Sequence, residues 1–273
     1  MKEEFAAGPD GKADPDQATR ARELVRDRFG RTSDAYASSH FHAQGESLRL
    51  LQELTSPEPE WRVLDVATGA GHTAMTFAPF VDEVVATDIT QQMLDKTAEL
   101  ATGKGITNLR TRYADAESLP FEDSTFDLVT CRLALHHFPD RPQAAREFFR
   151  VTKSGGVLGF TDNFTVDDEE GLRLYNEYEI IRDPSHLHVP SLGDLQRLFT
   201  DAGFQLEETR IVKKEFEFHA WADRQNVSVT DKDRLLSMMR DFPASLQEFF
   251  QPRWTDETMY FLLHEAVIIG KKI

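Results

Sequence analysis

Two stretches near the start of the chain space their apolar positions as helices do, Gln17 to Phe29 and Ala43 to Leu54, the second placing Leu48, Leu51 and Leu54 on one face. After Pro57-Glu58-Pro59 the texture changes to short apolar runs alternating with helical segments, the pattern of a sheet with crossover helices. Strands are expected at Arg62–Ala67, Glu83–Asp88, Asn108–Tyr113, Phe126–Cys131 and Val157–Thr161. Capping residues place the helices between them. Thr90 opens one carrying Leu94, Ala98 and Ala101, and Asp140 opens another with Pro142 in its first turn and Phe148 and Phe149 inward. Lys153-Ser154-Gly155-Gly156 reads as the turn into the fifth strand. A helix from Ser191 to Ala202 follows, capped by Ser191, with Leu195, Leu198 and Phe199 inside and Gly203 as its stop. Phe204–Phe218 and Thr258–Ile269 are strand-like, and the segment between them is mostly helical.

The fold class expected is α/β: a Rossmann-like sheet with helices on both faces and helical cap insertions. Residues 1–16, rich in Gly, Pro and Asp, read as a disordered tail. Residues 17–273 read as a single domain with cap elements at 17–56, 162–190 and 219–257, the first including the aromatic, histidine-bearing link Tyr36 to His42.

Charge narrows the partners. With 31 Lys+Arg against 47 Asp+Glu, the formal charge of −16 repels a phosphate backbone, so nucleic acid is not expected. The best apolar run, Met259 to Leu263, is broken by His264-Glu265, far short of the ~20 residues that span a bilayer, so no membrane partner is expected either. A single cysteine, Cys131, and the absence of an apolar leader after Met1 fit a cytoplasmic protein, monomeric or homodimeric.

Chemistry concentrates where the first strand ends. Val63 to His72 turns from strand to helix through Gly69 and Gly71, letting backbone approach a ligand where a Cβ would collide. Asp88, at the next strand tip, can accept two hydrogen bonds from a ribose diol. The Gly69-x-Gly71-x-x-Ala74 spacing alone fits a nicotinamide dinucleotide as well as S-adenosylmethionine. Asp65, four residues before Gly69, favours the latter, because a carboxylate there suits an ammonium and repels a pyrophosphate. Asp115, after the third strand, stands where it can accept from an adenine amine.

These residues resemble the class I S-adenosylmethionine-dependent methyltransferases, in particular the group similar to the ubiquinone/menaquinone C-methyltransferases and small uncharacterised bacterial members of it. The likeness covers about Tyr36 to Phe218 and includes Asp65–His72, Cys131–Phe138 and Arg182-Asp183-Pro184-Ser185-His186. It implies S-adenosylmethionine as cofactor, a small-molecule methyl acceptor and a seven-stranded, mostly parallel sheet of order 3-2-1-4-5-7-6 with the last strand antiparallel. By resemblance Asp65, Ala67, Thr68, Gly69 and Gly71 line the methionine end, Asp88 and Ile89 hold ribose with Met93 beside them, Asp115 and Ala116 border adenine, and Arg132 follows the fourth strand. The C-terminal signature of the quinone enzymes is absent, so their substrate does not carry over.

His136 and His137, at the carboxyl edge of the fourth strand, are the candidate bases, His137 first. Arg182 and His186 complete the catalytic candidates, in an acceptor-pocket cluster with Tyr175, Tyr178, Asp183 and His188; the alternative is an amphipathic helix whose Tyr175, Tyr178 and Arg182 share a face and cover the sheet. No metal is expected, since the histidines lack a known ligand spacing and Asp167 to Glu170 reads as an acidic helix start. The aromatic-rich 219–257 segment reads either as part of a lid over the acceptor or as ordinary core. A nicotinamide-dependent oxidoreductase and a non-catalytic cofactor-binding module are the rival functions.

Overall fold

In the computed structural model, which describes residues 15–37 and 45–273, the short apolar runs become the strands of one mixed sheet. The chain begins with helices α1 (Pro15–Ala37) and α2 (Glu46–Thr55). Strands and helices then alternate: β1 (Arg62–Val66), α3 (His72–Phe77), β2 (Glu83–Asp88), α4 (Gln91–Gly103), β3 (Leu109–Tyr113), β4 (Phe126–Arg132), α5 (Arg141–Val151) and β5 (Thr152–Asn163). The C-terminal third adds α6 (Glu169–Arg182), α7 (Leu192–Ala202), β6 (Gln205–Glu217), α8 (Phe218–Asp223), α9 (Val229–Asp241), α10 (Ala244–Phe250), the two-residue β7 (Arg253–Trp254) and β8 (Met259–Lys271).

The sheet order is β3-β2-β1-β4-β5-β8-β6, with β7 paired to β8. β1 to β5 are parallel, and β8 runs antiparallel between β5 and β6, matching the expected order once β8 takes the place of the seventh strand. Apolar side chains alternate between the faces. Leu64, Val66, Val129, Leu158 and Phe160 bury against α5 to α7, whereas Val63, Val84, Leu128, Val267 and Ile269 bury on the other face with Leu51 of α2.

Local chemistry explains most boundaries. Asp140 caps α5 by accepting from the Gln143 amide, Ser191 caps α7 by accepting from the Asp194 amide, and Gly203 ends α7 at φ 113°. Three expectations are corrected. The Thr90 side chain makes no cap to α4; instead Asp88 Oδ1 accepts from the Thr90 amide, 2.8 Å away, and Ala98 lies exposed while Met93 and Thr97 turn inward. Lys153 to Gly156 is not a turn before β5 but an irregularity inside it. The register shifts between Phe126 and Leu128 opposite, Gly155 adopts φ +78°, and a Cβ on Gly156 would meet the Asp127 carbonyl at 2.9 Å. The proposed tail and the link from Ser38 to His42 lie outside the described residues, apart from the tail's last two positions, which open α1.

The 219–257 segment packs as core. Trp221, Met239 and Phe250 are buried, Phe250 stacks on Tyr175 at 5.4 Å, and Trp221 stacks on Tyr178 at 5.5 Å. These rings continue into the apolar cluster under β4 and β5.

Candidate active site

The carboxyl ends of β1, β2 and β4 open into a cleft enclosing about 1070 Å³ of empty space, its mouth included, large enough for a nucleoside-sized ligand. The turn after β1 forms its floor. Gly69 has φ +54° and nothing within 4 Å of where a Cβ would stand, so the bare backbone faces free space. Ala67 also takes a left-handed conformation, φ 52°, which an L-residue holds only at a cost in strain. Gly71 serves a different contact. A Cβ there would sit 2.5 Å from Thr97 Cγ2, and Thr97 Oγ1 donates to the Gly69 carbonyl at 2.9 Å, so the second glycine seats the turn against α4 rather than lining the cleft.

Two aspartates shape this floor. Asp65 Oδ2 accepts from Thr68 Oγ1 at 2.5 Å and from the Ala74 amide at 3.2 Å, and Oδ1 accepts from Thr130 Oγ1 at 2.7 Å. Burial nevertheless lifts its pKa to about 6 against these bonds and the nearby Arg132 charge. Asp88 joins the two loops, Oδ2 accepting from the Gly69 amide at 2.9 Å and Oδ1 from the Thr90 amide. Burial raises its pKa against these bonds.

Ile89, Met93, Ala116 and Arg132 also line the cleft, as does Asp115. Arg132 Nε donates to Thr73 Oγ1 at 3.1 Å. Asp115 does not present a bare carboxylate: Arg22 of α1 pairs with it at 2.8 Å and with Glu117 as well. Arg22, Val25 and Phe29 make one face of α1 a wall of the cleft, a role that the polar pattern of residues 17–29 did not reveal.

Of the four catalytic candidates, His137 alone reaches the cleft wall. Its Nδ1 lies 2.9 Å from the Ser185 carbonyl, and the edge of Phe29 packs on its ring at 5.1 Å. Burial, reinforced by the His136 charge, lowers the His137 pKa to about 4, so the ring is neutral at pH 7. His136 stands immediately behind it, ring centroids 4.2 Å apart, with Nδ1 2.7 Å from Asp162 Oδ1. Burial works against charging His136, yet the Asp162 carboxylate holds its pKa above the ordinary value.

His186 is buried further back, Nε2 2.9 Å from Asn176 Oδ1. Arg182 lies over Trp221 at 4.3 Å and beside Glu179, within the cap core, and Tyr175 and Tyr178 are fully buried there. Among the described residues no group of three His, Cys, Asp or Glu side chains is arranged to hold a metal, and no helix is long and apolar enough to cross a membrane.

Comparison with known proteins agrees with this geometry. Residues 64–160 match the family model described as a methyltransferase domain. The chain is 33% identical over 232 residues to the uncharacterized methyltransferase YcgJ of Bacillus subtilis, covering 82% of this chain and 92% of that protein. The YcgJ crystal structure superposes with a TM-score of 0.80, covering 83% of this chain and 97% of that one. A ubiquinone/menaquinone biosynthesis C-methyltransferase from Ectopseudomonas mendocina is 33% identical over 180 residues, 58% of this chain and 70% of its own length. With a relative of this identity spanning most of both chains, a matching methyltransferase domain and a shared fold, the chain belongs to the class I S-adenosylmethionine-dependent methyltransferases.

Proposed function

We propose that the protein methylates a small-molecule acceptor held against His137. The observation that carries this reading is that His137 shares a cleft with the bare backbone of Gly69 and the Asp88 carboxylate, so a cofactor site and a hydrogen-bonding imidazole face one space. When bound, S-adenosylmethionine supplies an electrophilic methyl group on a sulfonium. The residues present fit such a cofactor. Ala67, Thr68 and Gly69 leave room for a chain lying on the floor, Asp65 places a carboxylate near an ammonium, and Asp88 brings a carboxylate to the cleft wall for a diol. Ile89, Met93 and Ala116 give an apolar border for a base, closed by the Arg22–Asp115 pair.

Transfer of a methyl group depends chiefly on orientation and exclusion of water, and the chain provides both. Val25 and Phe29 of α1 and Phe138 cover the cleft with apolar surface. His137 is neutral at pH 7 and presents an acceptor of hydrogen bonds to the incoming group, while Asp162 keeps the adjoining His136 able to carry a proton. Arg182 and His186 act only from behind these rings, as part of the packing that fixes them. The acidity of the chain favours a free small molecule over nucleic acid, and the setting proposed is cytoplasmic.

Calorimetric titration with S-adenosylmethionine, S-adenosylhomocysteine and NAD tests the cofactor half. Micromolar binding of the first two and none of NAD is expected, whereas preferential NAD binding overturns the reading. A methyl-transfer screen over phenols, amines, thiols and carboxylic acids tests the acceptor half. Turnover only on a protein or nucleic acid defeats the small-molecule assignment.

A further inference from the structure

The three histidines behind the cleft carry more information than their proximity. Each has one ring nitrogen tied to an oxygen that can only accept: His136 Nδ1 to Asp162 Oδ1 at 2.7 Å, His137 Nδ1 to the Ser185 carbonyl at 2.9 Å, and His186 Nε2 to Asn176 Oδ1 at 2.9 Å. The last assignment is secured by the amide itself. Asn176 Nδ2 donates to the Leu172 and Val189 carbonyls, and Oδ1 accepts from the Val189 amide, so a flipped side chain would lose all three bonds. Each tied nitrogen therefore carries the proton. In a neutral ring the opposite nitrogen is then a lone-pair acceptor, namely Nε2 of His137 and Nδ1 of His186, whereas His136, paired with Asp162, is the ring that holds a second proton.

Neither of these two acceptor atoms has a hydrogen-bond partner among the described residues. The rings adjoin, with centroids 4.2 Å apart for His136 and His137 and 5.6 Å for His136 and His186. Ser185, which holds the Nδ1 edge of His137, is not part of the cleft wall, so the Nε2 edge is the one left to the cleft.

We propose that the bare Nε2 of His137 is the docking point for the methyl acceptor, and that the group docked there is a neutral hydroxyl. This rests on the methyltransferase reading and deepens it by naming the substrate class. A bare imidazole nitrogen selects a hydrogen-bond donor. Asp162, Asp183 and Glu179 stand around the histidines and oppose an anion, while the charge His136 carries 4.2 Å from His137 opposes a cation such as an alkylammonium. A hydroxyl donates without needing a counter-charge. The edge of Phe29 and the neighbouring Phe138 give apolar flanks, so an aromatic hydroxyl is the best match.

The test uses phenol and anisole, which share a ring and differ by the donor hydrogen. In 15N-labelled free protein, the histidine spectra are expected to show protonated Nδ1 on His136 and His137 and protonated Nε2 on His186. A protonated Nε2 on neutral His137 overturns the proposal whether or not any cofactor binds. In protein saturated with S-adenosylhomocysteine, phenol is expected to shift the His137 Nε2 resonance and to bind at least tenfold more tightly than anisole. His137→Phe, which keeps a ring without a nitrogen, is expected to abolish that preference while leaving S-adenosylhomocysteine affinity within about twofold. Equal binding of the two probes, or absence of phenol binding beside bound S-adenosylhomocysteine, defeats the hydroxyl assignment. Failure to bind S-adenosylhomocysteine at all counts instead against the methyltransferase reading.

Discussion

Asp65 stands where burial and hydrogen bonding act against each other. Its carboxylate accepts three bonds, yet desolvation wins and its pKa rises from 3.8 to about 6. For an acid, a raised native pKa means that the folded state binds the proton more tightly than the unfolded chain. Stability contributed by this group therefore falls as pH rises from about 4 to about 6, by about 3 kcal/mol at most. Asp65→Asn removes the charge and keeps the shape. Its amide oxygen can still accept from Thr68 and the Ala74 amide, and the Thr130 hydroxyl can rotate to accept from the new NH₂. Above pH 6 the free variant is expected to be more stable than the parent by about 1–3 kcal/mol, with the advantage vanishing near pH 4. Denaturant unfolding at pH 4 and 7.5 measures both. The same variant is expected to bind S-adenosylmethionine at least tenfold more weakly, the mark of an aspartate retained for its ligand at the expense of the fold. The adjacent glycines separate by the same reasoning. Gly71→Ala drives a methyl into Thr97 and forces φ +80° on an L-residue, so it is expected to lower stability by about 2–4 kcal/mol in thermal melts.

At the scale of elements, α1 governs access to the cleft. It lies across the floor through Arg22, Val25 and Phe29, and a second ion pair, Arg28 with Asp183, fixes its far end beside the histidines. The Arg22 pair is partly exposed, with 24% of its side chain and 31% of that of Asp115 accessible, so its worth to stability is small, about 0–1 kcal/mol. Its effect on exchange is expected to be larger, because α1 walls the cleft through Arg22, Val25 and Phe29. Arg22→Ala is expected to speed S-adenosylhomocysteine dissociation by at least threefold in stopped-flow experiments while moving the melting temperature by less than about 3 °C. Unchanged dissociation would show that α1 is a fixed wall. This is also the scale at which the sequence was most unevenly legible. Asp140, Ser191 and Gly203 announced helix ends because a cap is a local hydrogen bond, written within three or four residues. The glycine turn and Asp88 were legible because strand tips bring them together in any sheet of this order. The lining role of α1 was not, since Arg22 meets Asp115 across 93 residues and nothing in the spacing of residues 17–29 records which face turns to the cleft. Arg182 illustrates the opposite failure: its charge and neighbours resemble a binding motif, and only the packing of Trp221 over it shows where it lies.

Across the whole molecule, the cap and the cofactor sheet share one apolar interior. Phe250 sits between Tyr175, Tyr178 and Phe242, within the cluster that also contains Leu64, Val129 and Phe160 beneath the glycine turn. These apolar side chains form one contiguous cluster, which ties the cap to the sheet. Phe250→Ala removes a fully buried ring and is expected to cost about 3–5 kcal/mol, a large part of the ~5–15 kcal/mol that holds an ordinary domain together. If cap and sheet form one cooperative unit, the lesion lowers a single transition, and a ligand at the distant cleft raises that same transition. S-adenosylhomocysteine at a hundred times its dissociation constant supplies about 2.7 kcal/mol and should recover much of the loss. Calorimetry of the variant with and without S-adenosylhomocysteine decides the matter. One peak moved upward by ligand joins the cap to the catalytic fold, whereas a low peak that ignores ligand beside a higher peak that responds to it would divide the chain into two folding units and free the 219–257 segment to move as a lid.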